Sequence, residues 1–219
     1  GGSIYIDGKL DRKKLASIVF EQPALLQQLN ALVGALRGTA SGIFIHVDLK
    51  ARIEDFEAAL EHRDGVVFVQ KRRAVWHLGY STVLATLGCL RAACARHSFD
   101  YYVLLSGDDY PIKPDAQILQ FFSHQNRGFI GHYEMRPGRL EFGLTVRKRY
   151  QDFFLFNERW AAAHGIPTTL SVGLERLAML AIPQAKPAFP VYRGSQWWAL
   201  PHDMVTFVLS SMESLAWRR

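Results

Sequence analysis

The chain has 219 residues, 49% of them hydrophobic, with 26 Lys and Arg against 20 Asp and Glu for a net charge of +6. That length suits one α/β domain with a full core, residues 1–219, and is too short for two comfortable ones. No apolar run reaches the ~18 residues of a membrane span, Gly1-Gly-Ser3 lacks a charged stretch leading into an apolar core, and two cysteines, Cys89 and Cys94, five apart on a helical pattern, exclude a disulfide framework and a local metal site.

Taken in order, the segments alternate. Residues 15–20 read as a strand and Pro23 as the first turn of a helix, with Leu25, Leu26, Leu29, Leu32, Val33 and Leu36 at helical spacing. Glycines at 38 and 42 end that helix, and 43–47 make a second strand, giving a right-handed βαβ unit. A short helix is expected over 53–61, a strand over 66–70, and a helix over 81–96 with Val83, Leu84, Leu87, Leu90 and Ala93 as its apolar stripe. A buried strand at 101–105 precedes a helix at about 115–124, with Ile118, Leu119, Phe121 and Phe122 on its buried side, and then a strand at 129–133. Segments 134–143 and 180–192, the latter with Pro183, Pro187 and Pro190, read as loops or a lid. Between them the aromatic-rich 151–164 reads as helical, and 201–209 opens a final helix with His202 and Asp203 in its first turn.

Two segments carry chemistry. Ser106-Gly-Asp-Asp109 follows the strand at 101–105 without a spacer, and the carboxyl end of a strand in an open α/β sheet is where ligands bind. The competing reading is a turn in which an Asp caps the next helix. In Tyr192-Arg-Gly-Ser-Gln-Trp-Trp-Ala-Leu200, two adjacent tryptophans stand beside a Gly-Ser-Gln turn, and flat rings with amide and hydroxyl groups nearby suit a sugar. If this is instead a strand, neighbouring rings point to opposite faces and at most one is core.

The basic clusters are Lys71-Arg-Arg73, Arg136 with Arg139, and Arg147-Lys-Arg149. They suit an anionic partner: a nucleotide-sugar diphosphate, an anionic glycan or a membrane surface. A solvated face is the alternative for each cluster. No groove-reading or stacking signature accompanies them, so nucleic acid is not expected. A cytoplasmic protein able to sit at a membrane surface is the expectation.

Leu104-Leu-Ser-Gly-Asp-Asp-Tyr-Pro-Ile-Lys113 and Gly194-Ser-Gln-Trp-Trp-Ala-Leu200 resemble the signature blocks of the core-2/I-branching β-1,6-N-acetylglucosaminyltransferase family, which includes peptide O-xylosyltransferases. Ile43-Phe-Ile-His-Val-Asp-Leu-Lys50 resembles its second strand, Val75-Trp-His-Leu-Gly-Tyr-Ser81 its Trp-Gly-x-x-Ser segment, and Arg147-Lys-Arg-Tyr150 its basic acceptor-side stretch. The resemblance runs from about residue 15 to the end. It implies a GT-A-like (Rossmann-like) glycosyltransferase fold and metal-independent, inverting transfer of N-acetylglucosamine or xylose from a UDP-sugar to a glycan hydroxyl, with no cofactor. It places Asp48, Phe20, Ser81 and Asp108 on the donor side. Arg147, Lys148, Ser195, Gln196 and Trp197 fall on the substrate side, and Asp109 and Glu134 are the catalytic candidates. Asp108 and Asp109 are a weak pair for a metal, because adjacent side chains diverge. Cysteine poverty, set against the disulfide-rich Golgi members, points to a bacterial member.

The chain also departs from the family pattern. Phe20-Glu21 stands where the first strand usually ends in His, and His77 where Gly follows Trp76. The resemblance implies a catalytic Glu in a Pro-x-Glu segment and diphosphate-binding basic residues further on; Glu213 comes too early and in an unlike context, so the family's C-terminal segment is expected to be missing before Arg219. Two other readings stay open: a non-catalytic glycan-binding module that kept Trp197 and Trp198, and a metal-dependent nucleotide-sugar transferase using Asp108 and Asp109.

Overall fold

Runs of β-branched, aromatic and leucine residues pair in parallel here because helices cover them on both faces. The computed structural model describes residues 5–6, 9–10, 14–21, 26–76, 80–134, 140–141, 144–145, 164–167, 169–170, 173–174, 177 and 192–216. In chain order these form β1 (Tyr5–Ile6), β2 (Lys9–Leu10), β3 (Leu15–Glu21), α1 (Leu26–Leu36), β4 (Ala40–Val47), α2 (Ile53–Ala59), β5 (Val66–Phe68) and α3 (Tyr80–Arg96). They continue as β6 (Tyr101–Ser106), α4 (Asp115–Ser123), β7 (Phe129–Glu134), β8 (Leu140–Glu141), β9 (Leu144–Thr145), β10 (Tyr192–Pro201) and α5 (His202–Ala216).

The main sheet has the order β5-β4-β3-β6-β10-β7. β3 pairs in parallel with β4 and β6, β4 in parallel with β5, and β10 antiparallel with β6. Two further antiparallel pairs, β1 with β2 and β8 with β9, stand apart from this sheet. By contacts the chain divides into one unit of Gly1–Val75, Val83–Ile130 and Gln196–Arg219 and another of Trp76–Thr82 and Gly131–Ser195.

In the first unit, strand alternation sorts the core into two faces. Val19, Ile43, Ile45 and Val47 pack under Leu29, Leu32, Val33 and Leu36 of α1 and Ile53 and Phe56 of α2, while Leu15, Tyr101 and Ala199 pack with Leu119 and Phe122 of α4. Ala16, Ile18, Phe44, Tyr102 and Leu104 face the other way, against Cys89, Leu90 and Ala93 of α3 and Val205 of α5. The two cysteines are free. Burial pushes the Cys89 thiol up to about 12, so it behaves as a small apolar residue. The buried phenol of Tyr102 accepts from Cys94 Sγ at 3.3 Å and meets His202 Nδ1 at 3.0 Å, while Ser98 Oγ lies 3.1 Å from His202 Nε2. This polar chain joins α3, β6 and α5, and desolvation raises the Tyr102 pKa well above its ordinary value.

Phe121, expected on the buried side of α4, is exposed, as is Val83 of the α3 stripe, and two further expectations are corrected. Gly42 does not sit in the turn after α1. The helix ends at Leu36, whose carbonyl accepts from the backbone N–H and the hydroxyl of Thr39, and β4 is already running at Ala40. Glycine is needed at 42 because the Phe99 ring lies against the strand: a Cβ there would stand 2.9 Å from Phe99 Cζ and 3.0 Å from Phe44 Cε2. Gly194-Ser-Gln is likewise no turn but the middle of the ten-residue strand β10. Sheet pairing has overridden local turn preference there. Pro23, Leu25, His77, Arg136, Arg139, the Arg147-Lys-Arg149 cluster, most of the expected helix 151–164 and the prolines at 183, 187 and 190 lie outside the described residues.

Gly42→Ala is expected to cost about 1–3 kcal/mol by overpacking. A urea midpoint equal to the parent's would show that Phe99 yields without strain.

Candidate active site

Strands β3, β4 and β5 extend the sheet in one direction, and the chain then crosses back to place β6 on the other side of β3. The carboxyl ends of β3 and β6 therefore flank a topological switch point, where open α/β sheets bind ligands. β3 ends at Phe20-Glu21, whose side chains lie outside the described residues, and β6 ends at Ser106.

Beyond Ser106 the chain folds back on itself. Asp109 N–H donates to the Ser106 carbonyl at 3.1 Å, Ser106 N–H donates to Asp109 Oδ2 at 2.7 Å, and Asp108 N–H reaches Ser106 Oγ at 3.3 Å. Neither Asp caps a helix: α4 starts at Asp115 behind Pro114, with no side-chain cap. The two acids diverge, Asp108 standing exposed and Asp109 turned back, half-buried. The Trp197 indole N–H also donates to Asp109 Oδ2, at 2.8 Å.

The tryptophan pair splits by strand alternation. Trp198 packs on the core face with Leu200, whereas Trp197 is 52% exposed at the edge where β6 ends. Tyr110 and Ile112, directly after Asp109, are exposed as well. Apolar surface beside a fixed carboxylate fits a sugar ring, which has an apolar CH face and a polar rim.

A second polar cluster lies at the end of β4. Asp48 is buried, its Oδ1 accepting the Lys50 N–H at 2.9 Å and its Oδ2 paired with Lys50 Nζ at 2.5 Å. Lys50 Nζ also donates to the Val75 carbonyl at 2.6 Å. Asp48 thus closes its own turn and does not cap α2, whose N-cap is Arg52. Arg72 lays its guanidinium on the carbonyls of Asp48, at 3.3 Å, and Ala51, at 2.9 Å. One member of the Lys71-Arg-Arg73 cluster is therefore spent on backbone oxygens rather than presented to an anion. Arg73 N–H donates to Nε2 of the buried His46 at 3.0 Å, and Leu49 N–H donates to the Arg73 carbonyl. An accepting Nε2 carries no proton, so His46 is neutral here. Burial holds its pKa below the usual 6.5, against the pull of the Asp48 charge.

In the second unit, Trp76 N–H donates to Ser81 Oγ at 3.0 Å, tying the approach to α3 onto its first turn, and the Trp76 ring lies 6.1 Å from that of His164. Glu134 is exposed at the end of β7. Ser195 is exposed on β10, its Cβ 3.7 Å from where a Cβ on Gly131 of β7 would stand. Arg193 donates to Tyr133 Oη at 2.7 Å with its guanidinium 5.7 Å from the ring centre. Asp109 and Trp197 meet directly, and Gln196, next in the strand, is exposed beside them in sequence. Arg147 and Lys148 are outside the described residues.

From the sequence, His46 and Lys50 carry no role as single residues, and Arg72 enters only as part of an anion-binding cluster. Lys50 carried a signal, a basic residue two positions after Asp48. His46 reads as one polar residue in an apolar strand, and nothing local ties Arg72 to the carbonyl of residue 48.

The His46 pKa is lowered on folding, so its contribution is present above about pH 6.5 and lost as pH falls through the folded-state value, where the unfolded chain binds the extra proton. His46→Gln, which keeps an acceptor for Arg73, should show a smaller loss of Tm than the parent between about pH 7.5 and 5, a range around the free imidazole value. Parallel Tm curves for the two proteins would remove this role.

Beta-glucuronosyltransferase GlcAT14A of Arabidopsis thaliana is 22% identical over 246 residues, covering 98% of this chain and 49% of that protein, so the chain spans about half the length of this curated relative. Among solved structures, 4-diphosphocytidyl-2C-methyl-D-erythritol synthase from Anaerococcus prevotii DSM 20548 superposes with a TM-score of 0.45 at 10% identity, over 92% of this chain and 76% of that one. A CMP:2-keto-3-deoxy-manno-octonic acid synthetase complexed with CTP gives 0.37 at 9% identity, over 88% and 76%. The profile of the Core-2/I-Branching enzymes matches residues 24–218, nearly the whole chain, and this protein belongs to that family.

Proposed function

We propose that this protein is a glycosyltransferase that moves a sugar from a UDP-sugar to a hydroxyl of a glycan acceptor, with inversion and without a metal. The observation that carries the reading is the Asp109 carboxylate, pinned at the carboxyl end of β6 beside the exposed Trp197. A carboxylate, for which Asp109 and Glu134 are the candidates, takes the proton of the acceptor hydroxyl as that oxygen bonds to the anomeric carbon and the bond to the diphosphate breaks. Gln196 and the Trp197 face line the acceptor sugar, and Glu134 and Ser195 are the other acceptor-side assignments.

On the donor side, Asp48 hydrogen-bonds the nucleoside, Phe20, Ser81 and Asp108 are the other donor-side assignments, and the positive net charge suits the diphosphate, while Arg147 and Lys148 belong to the acceptor side. Asp48 is covered by Lys50, so nucleoside binding moves that ammonium aside. The metal-free reading is supported by the divergence of the two acids, since Asp109 Oδ2 is already committed to two N–H donors. N-acetylglucosamine and xylose are the donor sugars expected from the sequence, and the glucuronosyltransferase relative adds glucuronic acid.

The test is UDP release from UDP-N-acetylglucosamine, UDP-xylose and UDP-glucuronate with glycan acceptors, with and without EDTA. Release unaffected by EDTA is expected from at least one donor, and Asp109→Asn should lower it by about 10²–10⁴-fold, the usual share of general-base catalysis. Activity abolished by EDTA and restored by Mn²⁺ would favour the metal-dependent reading, and glycan binding without UDP release the binding-module reading. For the donor side, Asp48→Asn keeps an acceptor for the Lys50 N–H but removes the charge; UDP affinity in calorimetry should fall by about 1.5–3 kcal/mol. Parent-like affinity would take Asp48 out of the donor site.

A further inference from the structure

We infer that the rim of the sheet at the start of β7 docks on an anionic lipid surface, with Phe207 and Met204 of α5 and Phe121 of α4 entering the bilayer interface and Arg127 meeting its headgroups. Phe207 is 71% exposed, Phe121 47%, Ile130 43% and Met204 41%. These side chains are not scattered. β7 ends the sheet next to β10, with α4 packed on one face of the sheet and α5 on the other. The Phe121 ring lies 5.0 Å from that of Phe129, the first residue of β7, which packs toward α4. Strand alternation turns Ile130 to the other face, and Met204 approaches Gly128 beside it, its Sδ 2.7 Å from where a Cβ on Gly128 would stand. Phe207, three residues after Met204, shares its stripe of the helix.

Shape and charge select the partner. Apolar side chains on both flanks of a sheet edge form a wedge, and a fluid interface into which the wedge sinks covers both flanks, whereas a flat protein surface meets one. Arg127 stands exposed beside them, its guanidinium 5.4 Å from the centre of the Phe129 ring. Its backbone is held by Tyr101 Oη, which donates to the Arg127 carbonyl at 3.0 Å and accepts from its N–H at 3.1 Å. A cation beside inserted aromatics is the pattern of segments that lie in a membrane interface. Asp203, the acid in the first turn of α5, accepts the Met204 N–H at 2.9 Å. A net charge of +6 draws the chain to an anionic surface and sets two copies against each other. The rim also has a direction. α5 begins where the His202 N–H meets the Asp100 carbonyl at 3.2 Å, at the amino end of β6, the far end of that strand from the Ser106–Asp109 turn.

Vesicle co-sedimentation of the full chain tests this. Binding to vesicles of phosphatidylcholine with phosphatidylglycerol should exceed binding to phosphatidylcholine alone and should fall as salt rises, because salt screens the headgroup charge. Met204→Ser combined with Phe207→Ser should lower the partition coefficient by about tenfold or more, the scale of one large apolar side chain kept out of a nonpolar phase. Arg127→Gln should lower it about fivefold on the anionic vesicles and leave it unchanged on the neutral ones. Val83→Ser, at an exposed apolar position of α3, should leave both unchanged. Phe207→Trp keeps an aromatic suited to the interface and should bind as the parent does. Arg127→Gln and Phe207→Trp read the docking face even where the paired serines lower Tm.

A second readout locates the contact directly. Vesicles carrying lipid brominated just below the headgroup should quench the added emission of Phe207→Trp, and added emission that stays unquenched overturns the docking face. A parent that remains in the supernatant with anionic vesicles overturns the inference, as does a paired-serine variant that sediments like the parent. Equal binding to neutral and anionic vesicles overturns the anionic partner. Sedimentation velocity tests the competing occupant: a concentration-dependent dimer of the parent, lost in Phe207→Ser, would make this rim an interface between two copies and overturn the lipid assignment. None of these measurements depends on turnover of a UDP-sugar, so the docking surface and the transferase reading stand or fall separately.

Discussion

The pairing of β6 with β3 on one side and with β10 on the other is the constraint from which the candidate site follows. β3 and β6 run in parallel, so both end at the same edge; β10 runs against β6, so its early residues arrive where β6 finishes. The register Ala199↔Val103 then brings Trp197, two residues earlier on the same face, to the level at which the Ser106–Asp109 turn begins. A slip of one residue would turn that face over, exchanging the places of Trp197 and the core-facing Trp198. Packing of Trp198 and Leu200 against Ala16, Ile18 and Tyr102 therefore secures the contact that Trp197 makes outside the core.

Buried polar groups play a different part at the neighbouring edge. Removing a polar group from water is costly unless it finds a partner. Here Asp48 is matched by Lys50, His46 by the Arg73 amide, and the carbonyls of Asp48 and Ala51 by the Arg72 guanidinium. Together with the bonds from Leu49 to Arg73 and from Val69 to Ile45, these fasten the segment after β5 along the end of β4. Positive charge that composition counts toward recognition is partly used as an internal strap. The polar chain through Cys94, Tyr102, His202 and Ser98 fastens α5 to β6 in the same way at the opposite end of the strand.

The sequence by itself determined the local elements and the chemistry available to them. Period-two and period-3.6 patterns placed β3 to β6, α3 and α4 within a few residues, because each is a contiguous run whose burial one face or both faces enforce. The strand at 101–106 running into Ser106-Gly-Asp-Asp109 also put that turn at the carboxyl end of β6, since position at a strand's end is a local property, and the family motifs were legible in order. Tertiary structure decided what depends on partners distant along the chain. Gly42 is glycine because Phe99 lies against it, not because the chain turns there, and Gly194-Ser-Gln is strand because β10 lies between two neighbours in the sheet, β6 and β7. Which oxygen of Asp109 is held, and by whom, rests on a hydrogen bond spanning 88 residues. No local pattern encodes such a contact, for it exists only once the register of a folded sheet has brought its two ends together.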